Sequence, residues 1–499
     1  MMIGRRALLT LGMVSAAILA TRAARTNELT SLRRFASFRS ALKGDLILPS
    51  DAEYERARRV GSFNPTTDKH PAMIARCADA SDVIRAIEFS EYASLDVAVR
   101  SGGNDVLGAS SCDGGMVIDV SRMKRIEIDT KAGIAHVGGG VRARELNIAT
   151  EPFGLAPVLA CYPDLGISGV TLGGGLGWLL GTHGAACDHL LGADIVCADG
   201  RLLRATAEEN PDLFWAIRGG GGNFGIATGL DLGLVPLDTV LGGAFVLRAD
   251  IASFLRFYRD FMQDAPDALT VELMIFTLDA PLVLAFVCWS GDQVQGERTL
   301  RPLRTFAPAL FDSIRRVPYA HLTDSPGVLA LLRAGFAAIA EHPGLVMKAI
   351  GSIGRLQPQN FFWRGGSLDN LDQNTIDRLA AIVQSAPRGG SVGVGHYMHG
   401  EICRIGSETS FVRRPGQFTY FVSARWNDSQ QSDPNMQWAT ASYSQMRRLS
   451  PGGTYVNYLS DESESAVKES YGENYARLQS VKRAYDPANI FHFNRNIHP

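Results

Sequence analysis

The chain has 499 residues, 46% of them hydrophobic and 20% charged; this is ordinary usage for a folded protein, too long for one core, so a large domain with a second one or a cap is expected and disorder is not. Lys plus Arg number 49 against 51 Asp plus Glu, a net charge of −2 with no block of like charge, which argues against nucleic acid as a partner. Seven cysteines (Cys77, Cys112, Cys161, Cys187, Cys197, Cys288 and Cys403) form no C-x-x-C pair, so no metal site is expected, and their odd number leaves at least one thiol without an intrachain partner.

The first 25 residues read "MMIGRRALLTLGMVSAAILATRAAR": an Arg5-Arg6 pair, an apolar stretch from Ala7 to Ala20, then small residues to Ala24. That is the layout of an export signal over 1–24. The stretch is too short, and too interrupted by Thr10, Gly12 and Ser15, to span a bilayer well. The paired arginines point to the twin-arginine route, with an ordinary secretory signal or an uncleaved anchor as alternatives. The expected location is periplasmic or extracellular, with no stable membrane insertion once the signal is removed, and cytoplasmic retention is the alternative if the segment is not a signal.

From Pro71 to Pro236, short β-branched runs alternate with glycine clusters: "LDVAVRSGG", "GMVIDVS", "RIEIDT", "IAHVGGG", "ADIVCADG" and "LLRATA". The alternation over Arg125 to Asp129 and the tight Asp199-Gly200 turn predict strands and hairpins, and "DASDVIRAIEFSEYA" has helical apolar spacing behind an Asp/Ser start. The fold class is α+β rather than a run of βαβ units. Between Gly242 and Ser450, helical stretches such as "SPGVLALLRAGFAAIAEH" and "NTIDRLAAIVQSA" stand beside strand-like "VLAFVCWS" and "FTYFVSARW", which suggests a second domain.

Glycine costs backbone entropy and is spent where backbone must approach something closely. "VGGGVRARE" (137–145) offers G-x-G-x-x-A, but the ribose-binding acid about 20 residues on is missing, so it is a weak dinucleotide fingerprint. "GISGVTLGGGLGWL" (166–179) and "RGGGGNFG" (218–225) carry more glycines than a turn needs, and bare backbone N–H groups suit a pyrophosphate.

In order, "RSGGND", "GGMVIDVSRM", "VGGGVRARELN", "GISGVTLGGGLGWL", "HGAACDHLLGADIVCADG", "PDLFWAIRGGGGNFGIAT" and the tail "SYGENYARLQSVKRAYDPANIFHFNRNIHP" resemble the berberine-bridge-enzyme-like group of the vanillyl-alcohol oxidase superfamily, with its PCMH-type FAD-binding domain. The resemblance covers about Pro71 to Pro236 and Thr454 to Pro499. It implies a segment 25–66 packed on the FAD domain, an FAD-binding domain of two α+β subdomains over 67–238, a substrate domain with a large antiparallel sheet flanked by helices over 239–450, and a C-terminal segment 451–499 that returns to the FAD domain. By the same resemblance FAD is held by Arg100, Ser101, Gly102, Gly103, Asn104 and Gly108. Pro163, Asp164, Gly166, Gly169, Gly173, Gly174, Gly175 and Gly177 would lie near the flavin. His183, Asp188 and Ile195 would line the same cofactor, and Asn494 and Asn496, two apart, would reach it from the tail.

Relatives usually place a histidine, bonded covalently to the flavin, where this chain has Asn104, and an amide cannot form that bond. Bicovalent relatives carry a cysteine at the place of Tyr162. Cys161 is offset by one residue, which in an extended segment points to the opposite face unless a bulge intervenes. These departures imply non-covalent FAD, a lower flavin potential, and oxygen or another compound as electron acceptor. Leu165 stands where oxidases commonly have valine, unless it is ordinary core.

"GTYVNYLSD" (453–461) resembles the family's Y-x-N-Y-x-D segment and makes Tyr458 the candidate base, needing a cation or the flavin's surroundings to stabilise its phenolate. Read as a strand, it would turn Tyr455 and Asn457 away from Tyr458. "GHYMHGEICRIGS" (395–407) looks like the strand that supplies a glutamate base in some relatives, with Glu401 near the place. His396 and His399, three apart on a strand, are not expected to share a metal; they read as pocket or surface residues, and His492 as structural. The expected function is FAD-dependent oxidation of a small organic molecule (alcohol, sugar, phenol or secondary metabolite). A dehydrogenase or oxidative cyclase not using oxygen, and a non-catalytic flavin-binding protein, are the alternatives.

Overall fold

A computed structural model of the chain describes residues 32–277, 281–323, 360–387, 389–406, 408–450, 452–460 and 463–499. The export signal expected over 1–24 and the helix expected from "SPGVLALLRAGFAAIAEH" lie outside the described residues.

Among the described residues the strands form three sheets. The first has the order Asp45–Ile47, Met73–Arg76, Met116–Asp119, Val97–Arg100. Met116–Asp119 runs parallel to both of its neighbours, so Met73–Arg76, the helix Ala80–Ala93 and Val97–Arg100 make one strand–helix–strand crossover, whereas the other two sheets are antiparallel among the described residues. That helix starts where expected: the Asp79 carboxylate accepts the N–H groups of Ser81 and Asp82, satisfying two donors that its first turn leaves open.

The second sheet has the order Ile126–Asp129, Ile134–Gly138, Ile226–Pro236, Leu190–Val196, Leu202–Ala205, and Leu155–Pro157 pairs with the Ile226–Pro236 strand. Every pairing is antiparallel. Its hairpin closes at Asp199-Gly200, where Gly200 takes the positive φ of 79° that the turn requires.

The third sheet runs Ala309–Asp312, Thr239–Arg248, Pro281–Trp289, Leu269–Thr277, Gly390–Tyr397, Phe418–Trp426, Asn360–Leu368, all antiparallel, with Arg315–Pro318 also paired to Thr239–Arg248. Side chains alternate across a strand, and here the alternation separates a core from a cavity. Val271, Leu273, Ile275, Val392, Val394, Tyr420, Val422 and Ala424 pack with Phe254 and Tyr258 of the helix Ile251–Gln263 and with Ile376 and Leu379 of the helix Gln373–Gln384. The intervening Met274, Phe276, Phe421, Ser423, Arg425, Phe361 and Trp363 line a cavity on the other face. In the Gly390–Tyr397 strand the register slips between Val394 and Tyr397. Tyr397 thereby packs on the core side while His396 joins the cavity wall, the re-aiming that a β-bulge produces.

Candidate active site

The cavity has a volume of about 1390 Å³. Sites for one drug-sized molecule run to about 300–1,000 Å³, so this one has room for two ligands side by side. One end is built from the loop Ser101–Val106, the loop and first helical turn of Pro163–Val170 and the glycine turn that leads into the strand at Ile226, closed by Phe491 and Phe493–Arg495 of the tail; the other end is the aromatic face of the third sheet.

The loop end depends on absent side chains. A Cβ on Gly102 would collide with the Gly166 amide, and one on Gly166 with the Gly102 amide, so the two loops meet backbone to backbone. Asn104 braces them: its Nδ2 donates to Gly102 O and to Asp164 O, both at 3.0 Å. Asp105 forms an ion pair with Arg495, whose Nη2 and Nε also donate to Leu459 O at 2.9 and 3.1 Å. Asn494 donates to Gly222 O at 3.4 Å, and the Ile497 N–H to Asn223 Oδ1 at 3.0 Å. Behind them Lys482 Nζ, fully buried with Asp486 at 2.7 Å, donates to Asn223 O and Phe491 O.

Ser101, Gly102, Gly103, Asn104, Pro163, Asp164, Gly166, Gly169, Asn494 and Tyr458 all line the cavity, and so does Leu165. Other expected cofactor residues do not. Arg100 is buried outside the wall, its guanidinium donating to Ala57 O, Ser110 O and Arg58 O, and Gly108 (φ 73°) packs against Thr67. The glycines of 173–177 serve close packing: a Cβ would strike Asn457 at Gly173, Phe411 at Gly174, Ala186 at Gly175 and Leu159 O at Gly177. His183 bonds Thr182 Oγ1 at 2.8 Å, and Asp188 accepts the Ala185 N–H at 2.8 Å and pairs with Arg413. Ile195 is fully buried behind Gly225. Asn496 does not share the cavity with Asn494, because the tail there is coil and a strand's two-residue repeat does not apply. In the first glycine loop, Cβ atoms at Gly138, Gly139 and Gly140 would meet the carbonyls of Met123, Ala227 and Val120, and Gly139 O accepts the Ser101 and Ser168 hydroxyls at 2.7 Å each.

At the sheet end the expected strand over 453–461 is a turn over Val456–Tyr458, so Tyr455, Asn457 and Tyr458 all face the cavity rather than alternating. The Tyr455 hydroxyl accepts the Gly175 N–H at 2.9 Å and Asn457 Nδ2 at 2.8 Å. Tyr458 stands edge-on to Trp363, ring centroids 5.1 Å apart, and Trp363 stacks on Phe421 at 5.8 Å. Burial pushes the Tyr458 phenol well above its ordinary value, and Glu272, Tyr162, Cys161 and Tyr455 push it the same way. Among the described residues no cation counters them, which leaves the flavin's surroundings as the stabiliser that a phenolate here would need. Glu401 is no substitute: it opens the short helix Glu401–Arg404, lies 3.5 Å from Arg404, and is outside the cavity wall.

Sequence reasoning missed Glu272. It is the one charge in the apolar strand "LTVELMIFT", a signal that could have flagged it, since a buried carboxylate needs partners. Its Oε1 lies 3.0 Å from His396 Nε2, which is 3.3 Å from Cys161 Sγ. All three residues are buried, with polar atoms within 4.8 Å of one another. A metal ion could bridge that spacing, and direct hydrogen bonds already connect the three. Burial lifts the Glu272 carboxyl to about 7 and pushes His396 down, both toward their neutral forms. Cys161 turns into this cluster, while its neighbour Tyr162 stands exposed to the cavity. His399 is separate, its Nδ1 2.9 Å from Tyr397 O, and His492 Nδ1 lies 3.0 Å from Asn489 O, a structural role.

A family profile described as FAD binding domain matches residues 71–206, and one described as berberine and berberine like matches 454–498. The chain thus carries an FAD-binding domain followed by a berberine-like C-terminal segment, and along most of its length it is similar to FAD-linked oxidoreductases. (R)-6-hydroxynicotine oxidase of Paenarthrobacter nicotinovorans is 28% identical over 471 residues, covering 92% of this chain and 97% of that one. The FAD-linked oxidoreductase pgmH of Aspergillus terreus is 40% identical over 191 residues, 38% of this chain and 39% of its own. A crystal structure of 6-hydroxy-D-nicotine oxidase from Arthrobacter nicotinovorans superposes with a TM-score of 0.80 at 26% identity, covering 92% of this chain and 98% of that one. The protein is therefore an FAD-dependent oxidoreductase acting on a small organic substrate. The residues fit the cofactor: two glycine loops in a contact that any side chain would block, walls wider than one small ligand needs, and a tail that seals them.

Proposed function

We propose that the protein oxidises a flat, largely apolar organic molecule, an aromatic metabolite rather than a carbohydrate, at a carbon that also bears a hydroxyl or an amine. The single observation that carries this reading is the wall facing the glycine loops: Trp363, Phe421, Tyr458, Phe276, Phe361 and Met274 supply ring faces and apolar edges. Such surfaces bury planar molecules and offer a sugar few hydrogen bonds. The full-length relative that acts on 6-hydroxynicotine is consistent with that class. Bound FAD supplies the two-electron acceptor. The chain's residues hold the cofactor between the Gly102 and Gly166 loops, exclude water with the aromatic wall, and offer polar groups at Tyr458 and His396.

Attachment of FAD is non-covalent in this reading, supported by the amide at Asn104 and by a Cys161 thiol engaged with His396. Acid precipitation tests it: yellow flavin in the supernatant supports it, and yellow in the pellet overturns it. Mixing the purified protein in the absence of air with a panel of phenols, benzylic alcohols and cyclic amines tests the substrate class. Bleaching by none of them, with sugars active instead, would sink it, and a flavin bleached by nothing would favour a binding protein.

A second reading concerns the acceptor. Leu165 lines the cavity, which favours a compound other than oxygen; slow reoxidation in air beside fast reoxidation by a quinone would support it. We also propose that the protein is exported by the signal over 1–24, to be checked by sequencing the N-terminus of protein recovered outside the cytoplasm.

A further inference from the structure

We propose that His396, through Nδ1, takes the proton from the bound substrate, and that Glu272 is the positioning residue that gives the imidazole the tautomer to do so. The inference rests on the FAD-linked reading above for its oxidant and on the geometry of this chain for its residues.

The His396 ring is part of the cavity wall, turned there by the register slip in its strand. Its two nitrogens differ. Nε2 lies 3.0 Å from Glu272 Oε1, whereas buried Nδ1 has no hydrogen-bond partner among the described residues. Glu272 stands on the adjoining strand, whose next residue Leu273 pairs with Val394, so the backbone of the sheet fixes the contact. An ionised carboxylate can only accept, so Nε2 must carry the hydrogen, and a neutral imidazole then has its lone pair at Nδ1. A buried acceptor with no donor carries a desolvation cost that an incoming O–H or N–H group relieves.

The groups that face His396 agree with this assignment. Glu272 and Cys161 are within hydrogen-bond distance, and the Tyr458 ring lies 6.5 Å away, centroid to centroid, so a substrate polar group beside one can reach the other. Burial holds the Cys161 thiol protonated, reinforced by Glu272 and Cys288, and Tyr458 keeps its proton. These leave His396, which burial also keeps neutral, as the bare acceptor, and its imidazolium can form only with the ionised Glu272 carboxylate beside it to offset that burial. Because burial lifts Glu272 to about 7, its carboxylate forms as pH rises through that value, and with it the tautomer that exposes Nδ1.

In the reaction, the substrate's O–H or N–H proton passes to Nδ1, giving an imidazolium whose Nε2–H stays on the Glu272 carboxylate. The neighbouring C–H hydrogen leaves with both bond electrons, for which oxidised FAD is the acceptor. The C–O or C–N single bond becomes double.

The test uses the full chain and its E272Q and H396Q variants, purified with their flavin and labelled with ¹⁵N-histidine. The spectrum of H396Q identifies the His396 signals by their loss. At pH 8 the native protein should show the Nε2–H tautomer for His396, and E272Q should lose it, since a glutamine amide can donate to Nε2. Diethyl pyrocarbonate, which reacts with a bare imidazole nitrogen, should modify native His396 faster as pH rises through about 7, read by peptide mass spectrometry, with that rise absent in E272Q. With any compound that bleaches the native flavin, H396Q should slow bleaching roughly 100-fold or more while dithionite still reduces its flavin.

Hydrogen on Nδ1 in the native protein at pH 8, bleaching by H396Q at the native rate, or a stoichiometric metal ion lost on E272Q substitution would each overturn the proposal. A native chain that takes up no FAD would instead sink the reading on which the proposal rests, and the tautomer measurement would still decide the roles of His396 and Glu272.

Discussion

Arg495 and Asp105 stand 390 positions apart in the sequence and meet as an ion pair in the cavity wall. Burial alone would raise the Asp105 carboxyl; the Arg495 guanidinium, together with the N–H groups of Ala109 and Leu107, outweighs it and holds the group below its ordinary value. R495M should therefore leave a largely buried carboxylate without its cation and cost about 3 kcal/mol at neutral pH, with loss of FAD on gel filtration. A depressed carboxyl contributes stability above its unfolded value, near 4, that is lost as pH falls through the folded one. The difference in thermal stability between native protein and R495M should be full at pH 7 and shrink below about pH 4; a difference independent of pH would refute the pairing.

Lys482 and Asp486 are a fully buried pair one helical turn apart, and Lys482 also holds the carbonyls of Asn223 and Phe491. K482M keeps the stem and removes the charge, leaving Asp486 with the Ile490 and Phe491 N–H groups alone. Thermal unfolding should show a loss of about 4 kcal/mol, and limited proteolysis should release the tail first.

Asn104 spans two loops with one amide group. N104A removes both bonds and should cost about 1–2 kcal/mol, expressed mainly as faster loss of FAD on dialysis, because the loops lie at the cavity rather than in a core. Unchanged retention of FAD would show that the brace does not support the cofactor.

Burial favours the protonated Tyr458 phenol, which makes the hydroxyl available to donate a hydrogen bond to a bound substrate. Y458F should lower kcat/KM by about fivefold to tenfold, the value of one neutral hydrogen bond, and leave the pH dependence where it was. Disappearance of an ionisation from the pH profile would restore the tyrosine as base.

The parts legible in the sequence are those that rest on local chemistry. Asp79 caps its helix, Asp199-Gly200 closes its hairpin, and β-branched runs become strands, because each of these is decided within a few residues. Glycine density was legible only as close approach, and did not say of what: Gly102 and Gly166 make room for each other at the cavity, while Gly173 and Gly174 make room for Asn457 and Phe411. Strand alternation holds at Phe421 and Arg425, which face away from Tyr420 and Val422, but not at Tyr455 and Asn457, which lie in or beside a turn, nor at His396, which follows a slipped register. The pairs Asp105–Arg495 and Glu272–His396 join distant segments, and no periodicity encodes them.

The wall that holds Asn104 is completed by Phe491, Asn494 and Arg495. During synthesis, then, the loops near the start of the FAD-binding region wait without their last partner until Arg495 has cleared the ribosome. Ribosome-bound nascent chains arrested before Arg495 should therefore hold FAD more weakly than chains that include it. Contacts so far apart in sequence also close slowly, so the interval in which the aromatic wall stands open is one in which free FAD and chaperones compete with aggregation.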